Sequence, residues 1–282
     1  MFTKKTQSEH PAKRHAAPCA VCYLCREFAM AKISAVIITF NEEKNIARCI
    51  DSLQGVADEV VVVDSFSKDA TESICRERNV RFMQHAFEGY IEQKNFALQQ
   101  AAFPFVLSLD ADEALSDRLK DSILRVKSGE MADGYSFNRL TNYCGHWVRH
   151  GGWYPDTKLR LVRKEIARWG GINPHDELLM NPGSQALQLS GDLLHYSYYT
   201  VEEHDRQIDR FTAISASALY ASGQRSSYFK SFYKPLARFL RDYIFRLGFL
   251  DGSAGWSIAW RTCKSVRMKY QRLMDYQRKA TG

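Results

Sequence analysis

The chain predicts an α/β protein built on an open, mostly parallel sheet flanked by helices, and three runs of residues lead there. Ile33 to Phe40 is β-branched and almost unbroken in its apolar character, and Asn41-Glu42-Glu43 follows at once. Glu59-Val-Val-Val-Val-Asp64 repeats the pattern and ends in a polar cluster. Phe105 to Leu109 repeats it again and delivers Asp110-Ala111-Asp112-Glu113. Continuous apolar runs of this length suit strands covered on both faces, as in a parallel sheet.

Helical patterns fill the gaps. Ile46, Ile50 and Leu53 recur at helical spacing within residues 43–53. The cluster from Asp64 to Thr71 reads as a loop entering a second helix, with Asp69 and Thr71 as capping residues. Val80 to Met83 is a third strand, Glu92 to Ala101 a helix, Phe105 to Leu109 the fourth strand, and helix-compatible residues follow Glu113. Strands alternating with helices imply right-handed crossovers and parallel pairing. The acidic residues then collect at the carboxyl edge of the sheet, where open α/β folds bind ligands. Two carboxylates there, Asp110 and Asp112, suit a hard divalent cation shared with a diphosphate. A dinucleotide-dependent dehydrogenase is disfavoured because no G-x-G-x-x-G follows the first strand. Nucleotidyl transfer is disfavoured as well, for want of a glycine-rich basic segment at that place.

At 282 residues and 45% hydrophobic, the chain can bury a full core and carry a smaller C-terminal extension. No apolar stretch approaches the ~20 residues that span a bilayer. Seven scattered cysteines, an odd number, argue against a disulfide framework. Cys19, Cys22 and Cys25 have Cys-x-x-Cys spacing, but no second ligand pair follows to close a zinc site. The short apolar stretch from Ala16 to Leu24 makes a poor secretory signal; residues 1–29 are expected to be a disordered extension, or to arise from an upstream start codon. Charge is lopsided. From Arg225 onward thirteen Lys or Arg face Asp242, Asp251 and Asp275, a balance of +10 against +7 for the whole chain. Tyr228, Phe229, Phe232, Tyr233, Phe245, Trp256 and Trp260 are interleaved with these cations. That pattern fits helices resting on an anionic membrane surface or packing on the core; no nucleic-acid motif accompanies it. Gly248-Phe-Leu-Asp-Gly252-x-x-Gly255 marks a helix connector.

Thr39-Phe40-Asn41-Glu42, Val63-Asp64-Ser65-x-Ser67-x-Asp69-x-Thr71, Gln93-Lys94-Asn95 and Leu109-Asp110-Ala111-Asp112-Glu113 occur in the order and spacing of family 2 glycosyltransferases. The chain resembles that family from residue 32 to about 265. Trp153-Tyr154-Pro155-Asp156 and Pro174-His175-Asp176-Glu177 resemble a subgroup, the glucosyltransferases acting on heptose of the lipopolysaccharide inner core. The resemblance implies a GT-A, Rossmann-like catalytic domain over residues 30–224 and a basic helical extension over 225–282.

It also implies roles. Thr39, Asn41, Glu42 and Asp64 would hold the nucleotide of a UDP-sugar donor, Asp64 accepting from base or ribose. Lys94 either approaches the diphosphate or is an exposed helical lysine. Asp112 would bind Mg²⁺ or Mn²⁺, with Asp110 on the ribose or in the metal's shell. His175 is a further metal ligand, a structural histidine, or a ligand of an acceptor phosphate. Asp176 or Glu177 would be the base that deprotonates the acceptor. The family's motif reads His-Glu, and the intervening Asp176 leaves that register open. Trp153 and Tyr154 would stack on sugar rings or join the core. Arg160, like Arg163, would bind acceptor anions or lie on a solvated strand. The expected reaction is inverting, metal-dependent transfer of a hexose, glucose by subgroup resemblance, to inner-core heptose of lipopolysaccharide. The expected place is the cytoplasm, peripheral on the inner face of the cytoplasmic membrane. The alternatives are a hexosyltransferase of capsule or lipid-linked oligosaccharide synthesis, and a catalytically silent membrane-associated binding protein on the same scaffold.

Overall fold

The computed structural model describes residues 30–172 and 175–280, without the side chains of residues 172 and 175. The expected extension over 1–29 and the group Cys19, Cys22 and Cys25 lie outside the described residues. The first half alternates as the periodicity predicts: β1 (Ile33–Thr39), α1 (Ile46–Ser52), β2 (Glu59–Asp64), α2 (Thr71–Glu77), β3 (Arg81–Gln84), α3 (Tyr90–Gln100) and β4 (Phe105–Asp110). These strands pair in parallel in the order β3-β2-β1-β4, with Ile38 beside both Val63 and Asp110. Alternate residues of β1 feed opposite cores. Ile33, Ala35 and Ile37 pack with Ile46, Leu107, Leu119 and Ile123. Val36 joins Val61, Val63, Ala97 and Val106 on the other face. Both faces of the strand are covered, which is why its sequence shows no polar alternation.

Beyond β4 the sheet is mixed. The chain continues through β5 (Glu113–Leu115), α4 (Asp117–Lys127), β6 (Gly134–Tyr143), β7 (His146–Val148), β8 (Asp156–Arg163), β9 (Ala167–Ile172), β10 (His175–Met180) and β11 (Ala186–Tyr198). β8 inserts antiparallel between β4 and β6, and β11 runs parallel to β6 and antiparallel to β5. β9 and β10 form a separate antiparallel pair. A strand directly after Asp112 was not legible in the sequence, because the partner that stabilises β5, Leu193 to His195, lies far along the chain. Ser116 then caps α4 by accepting the Leu119 N–H.

Helices follow β11: α5 (Val201–Ala221), α6 (Tyr228–Phe239), a π-helical segment (Leu240–Phe245), a 3₁₀ turn (Gly248–Asp251) and α7 (Gly252–Lys279). α5 opens with a capping box between Thr200 and Glu203. Residue 225, where the basic extension is expected to begin, lies in the connector between α5 and α6. Glycines in the 3₁₀ turn and at the start of α7 permit close approach: a Cβ on Gly255 would lie 1.8 Å from the Gly248 carbonyl oxygen. None of the described helices is long and apolar enough to cross a membrane.

α5 docks on the sheet through His204, whose Nδ1 lies 3.1 Å from the Tyr143 hydroxyl and whose ring stacks on Tyr198. Burial, helped by the Arg261 charge, pushes the His204 imidazole down to about 4 from its ordinary 6.5. The unfolded chain therefore binds the proton more tightly. Stability from this group is present above pH 6.5 and lost as pH falls toward 4. Thermal melts across that window should show a smaller acid-side drop in Tm for His204→Asn than for the wild type.

Candidate active site

The carboxyl edge of β1, β2 and β4 is stitched together before any ligand arrives. Asn41, in a left-handed conformation at φ 55°, donates its N–H to Ser67 Oγ and accepts the Lys68 N–H at Oδ1. Ser67 donates its N–H to Asp64 at 2.8 Å, and its hydroxyl to the same carboxylate. Thr71 Oγ1 accepts the Glu42 N–H at 2.9 Å, and Asp69 accepts the N–H groups of Glu43 and Thr71. Asp69 and Thr71 thus join two loops as well as opening α2. Asp64, fully buried, already spends its carboxylate on Ser67 and does not line the large cleft at this edge.

That cleft, of about 770 Å³, is lined by Thr39, Glu42, Lys94, Asp110, Asp112, Asp176 and His195, with Phe40, Phe87 and Tyr90 at its rim. The Thr39 hydroxyl is buried without a partner among the described residues, so it can serve a ligand. Flat exposed rings at the rim suit a nucleobase.

The cleft floor is an ion-pair network. Lys94, buried, places Nζ 2.9 Å from Asp110 and 2.8 Å from Asp176. Arg160, also buried, donates to Glu113 at 2.8 Å and to Asp110 at 3.2 Å. Glu113 completes the circuit by accepting the Asp110 N–H at 3.0 Å. Buried charges persist only when paired and hydrogen-bonded in this way. Burial alone would raise the Asp110 carboxyl, but Lys94 and Arg160 hold it well below the usual carboxylate range. Glu113 and Asp110 keep the Arg160 guanidinium charged against its burial. Asp110 is therefore neutralised by the protein itself.

Asp112 differs. Among the described residues it meets no Lys or Arg; its partner is His195, with Nε2 3.1 Å from Oδ2. β11 positions that imidazole by pairing His195 with Glu113 and by donating the Tyr196 N–H to the Asp112 carbonyl. Glu42 stands nearby with its carboxyl pushed up to about 7; burial is the main cause, the hydrogen bond from Asn45 opposes it, and the Asp112, Asp69 and Asp110 charges add to it. Arg139 and Arg210 line the same cleft, but among the described residues neither ion-pairs with Asp112, whose carboxylate is met by His195. One carboxylate and one imidazole open to the cleft fit a divalent cation whose other positions go to phosphate oxygens and water. No group of three or more His, Cys, Asp or Glu able to hold a metal occurs among the described residues, so any cation here takes most of its shell from substrate and solvent.

The other expected residues separate. Asp176 is partly buried and lines the cleft, whereas Glu177 is exposed and lines only an adjoining cavity of 490 Å³ with Lys158, Arg160 and Trp169. The His175 side chain lies outside the described residues. Trp153 packs on Tyr143, Tyr198 and His204 and shows one side to a 320 Å³ pocket with Arg139, Asp156 and His195. Tyr154 turns to the sheet, donating to Asp192 at 2.9 Å. Arg163 faces Asp133 and the Phe105 ring, away from the cleft. Sequence reasoning missed His195, Arg139 and the α5 residues Gln207 and Arg210, which overhang the cleft. Only His195 left a trace, as an imidazole interrupting the strand-like Leu193-Leu194-His195-Tyr196.

Comparison with known proteins agrees with this architecture. The chain is 30% identical over 254 residues to the lipopolysaccharide core biosynthesis glycosyltransferase LpsC of Rhizobium meliloti, covering 85% of this chain and 92% of that one. It is 32% identical over 252 residues to an uncharacterized glycosyltransferase of Rickettsia typhi, covering 85% and 86%. A crystal structure of glucosyl-3-phosphoglycerate synthase from Mycobacterium tuberculosis with Mn²⁺, UDP and glucosyl-3-phosphoglycerate aligns at 23% identity and a TM-score of 0.33, over 46% of this chain and about half (51%) of that one. That last likeness is too slight to assign chemistry. Residues 34–178, which contain β1, the Asp110–Asp112 turn and Asp176, match the family model for glycosyl transferase family 2. The chain is a family 2 glycosyltransferase with a GT-A-type fold.

Proposed function

We propose that the protein is a metal-dependent inverting hexosyltransferase, moving glucose from UDP-glucose to a heptose of the lipopolysaccharide inner core at the inner face of the cytoplasmic membrane. The observation that carries the reading is the Asp112–His195 pair, open to the cleft beside Asp176. The lipopolysaccharide assignment draws support from the name of the Rhizobium meliloti relative; glucose and heptose rest on the motif resemblance. The membrane assignment rests on the basic, aromatic C-terminal segment.

Asp112 and His195 would hold Mg²⁺ or Mn²⁺, which offsets charge on the departing diphosphate. Thr39 offers its free hydroxyl, and Glu42 its carboxyl, to the nucleotide end of the donor. Lys94 and Arg160 keep Asp110 fixed at the cleft floor, so the donor meets a preorganised surface rather than one that must rearrange. Asp176, held by Lys94 at 2.8 Å, accepts the proton from the acceptor hydroxyl as that oxygen bonds to the anomeric carbon and the carbon–diphosphate bond breaks. The electron pair of the broken bond leaves on UDP, and attack opposite the leaving group inverts the anomeric centre.

UDP release tests this directly, using a panel of UDP-sugars, heptose-terminated lipopolysaccharide, and Mn²⁺, Mg²⁺ or chelator. The expected result is turnover of UDP-glucose that needs both metal and acceptor. Absence of turnover with every donor would point instead to a silent scaffold.

A further inference from the structure

α6 is built inside out. Toward α7 it buries Ser231 and Pro235, and Asp242 continues the buried side in the π segment. Its apolar stripe, Phe229, Phe232 and Leu236, continued by Leu240 of the π segment at spacings of three and four, stays exposed, with Phe229 at 73% and Phe232 at 72%. Phe245, Leu247, Phe249 and Leu250 extend this surface into the 3₁₀ turn, Phe245 being 79% exposed. Ring contacts tie the turn to α7: Phe249 lies edge-on to Tyr243, Phe239 and Tyr243 pack edge-on to Trp256, and Trp256 stacks on Trp260. Lys230, Lys234, Arg238, Arg241 and Arg246 are exposed along the same stretch. An apolar surface of this extent on a folded protein marks an interaction site. A second copy of the chain is a poor occupant, because the segment carries a net charge of +10 and two such faces repel. Aromatic side chains rimmed by cations match the interface of an anionic bilayer, rings at the acyl boundary and cations among the headgroups.

The turn that shows these side chains also grips the site. Asp251, buried, accepts the N–H groups of Arg149 and His150, the latter at 2.8 Å, and meets His150 Nδ1 at 3.0 Å. The Arg246 carbonyl accepts the Gly151 N–H at 2.9 Å. A Cβ on Gly152, at φ +80°, would strike the Arg246 guanidinium at 2.2 Å. From there the chain runs into Trp153 and Pro155, which wall the 320 Å³ pocket beside His195.

We propose that α6 and the turn after it seat the enzyme on an anionic lipid surface, and that Asp251 transmits this contact to the loop walling the pocket beside His195. The inference rests on the proposed function in taking that pocket as the acceptor side. Sedimentation with phosphatidylcholine vesicles, with and without phosphatidylglycerol, tests the seat in the absence of any substrate. The wild type should pellet with the anionic vesicles, and Phe232→Glu/Phe245→Glu should weaken binding about a hundredfold while leaving donor hydrolysis unchanged. Wild-type protein that stays in the supernatant overturns the seat. So does a concentration-dependent dimer that the double variant abolishes.

The link has its own readout. Anionic vesicles should lower the acceptor KM of the wild type, and Asp251→Asn, which weakens the grip on the Arg149 and His150 N–H groups, should bind vesicles normally and lose that response, a melt showing that the variant is folded. Vesicle binding that leaves the wild-type acceptor KM unmoved overturns the link. Failure of transfer with vesicle binding intact would instead count against the proposed reaction.

Discussion

Asp176→Asn is expected to lower kcat by about 10²–10⁴-fold, the range a positioned general base contributes, with little change in donor KM. Glu177→Gln should stay within a few-fold of wild type. The neighbouring carboxylates are chemically alike, and the fold separates them: β10 turns Asp176 toward Lys94 and the cleft, while Glu177 is exposed and touches only the adjoining cavity. Steady-state kinetics on the two variants checks the assignment. Because Asp176 also pairs with buried Lys94, a melt of Asp176→Asn belongs beside the kinetics; Lys94 keeps Asp110 as its charged partner, so the loss should appear in turnover before stability. A severe defect in Glu177→Gln with a mild one in Asp176→Asn would move the base by one residue.

Asp112→Asn should be as damaging and differ in kind. It removes the one acidic group of the turn that, among the described residues, ion-pairs with no Lys or Arg, and transfer should fall by about 10³-fold, on the order of 4 kcal/mol of charge stabilisation at the leaving diphosphate. Mn²⁺ titration should show weaker activation in this variant and in His195→Ala. Chelation should silence the wild type and add little to the loss in either variant. Asp110→Asn provides the contrast. Its carboxylate sits between Lys94 and Arg160, so its removal leaves two buried cations short of a partner and should lower Tm as well as activity.

The first half of the fold was legible because its information is local. β1, β2 and β4 are apolar runs that announce burial on both faces, and their polar endings announce the ligand edge. The second half depends on pairings between distant segments. β5 exists because Leu193 to His195 lie against it, and nothing near Glu113 says so. The same distance hid His195, since an imidazole in a strand acquires meaning only when the β5–β11 register sets it 3.1 Å from Asp112. Lys94 was ambiguous for a related reason: its own helix supplies neither carboxylate, one coming from β4 and the other from β10. Arg160 carries the same lesson, an arginine on an alternating strand whose partners Asp110 and Glu113 come from the turn beside it. In the C-terminal helices, sequence recorded the cations and aromatics but not their sidedness. α6 buries serine and proline and shows phenylalanine, and this inversion becomes visible only against α7.

The configuration of the new bond tests the central proposal most directly. Transfer from UDP-α-glucose to a heptose-terminated acceptor, followed by NMR of the product, should give a β-linked glucose with the large anomeric coupling of a diaxial proton pair. An α-linked product would contradict direct displacement assisted by Asp176 and would require a retaining mechanism in this cleft.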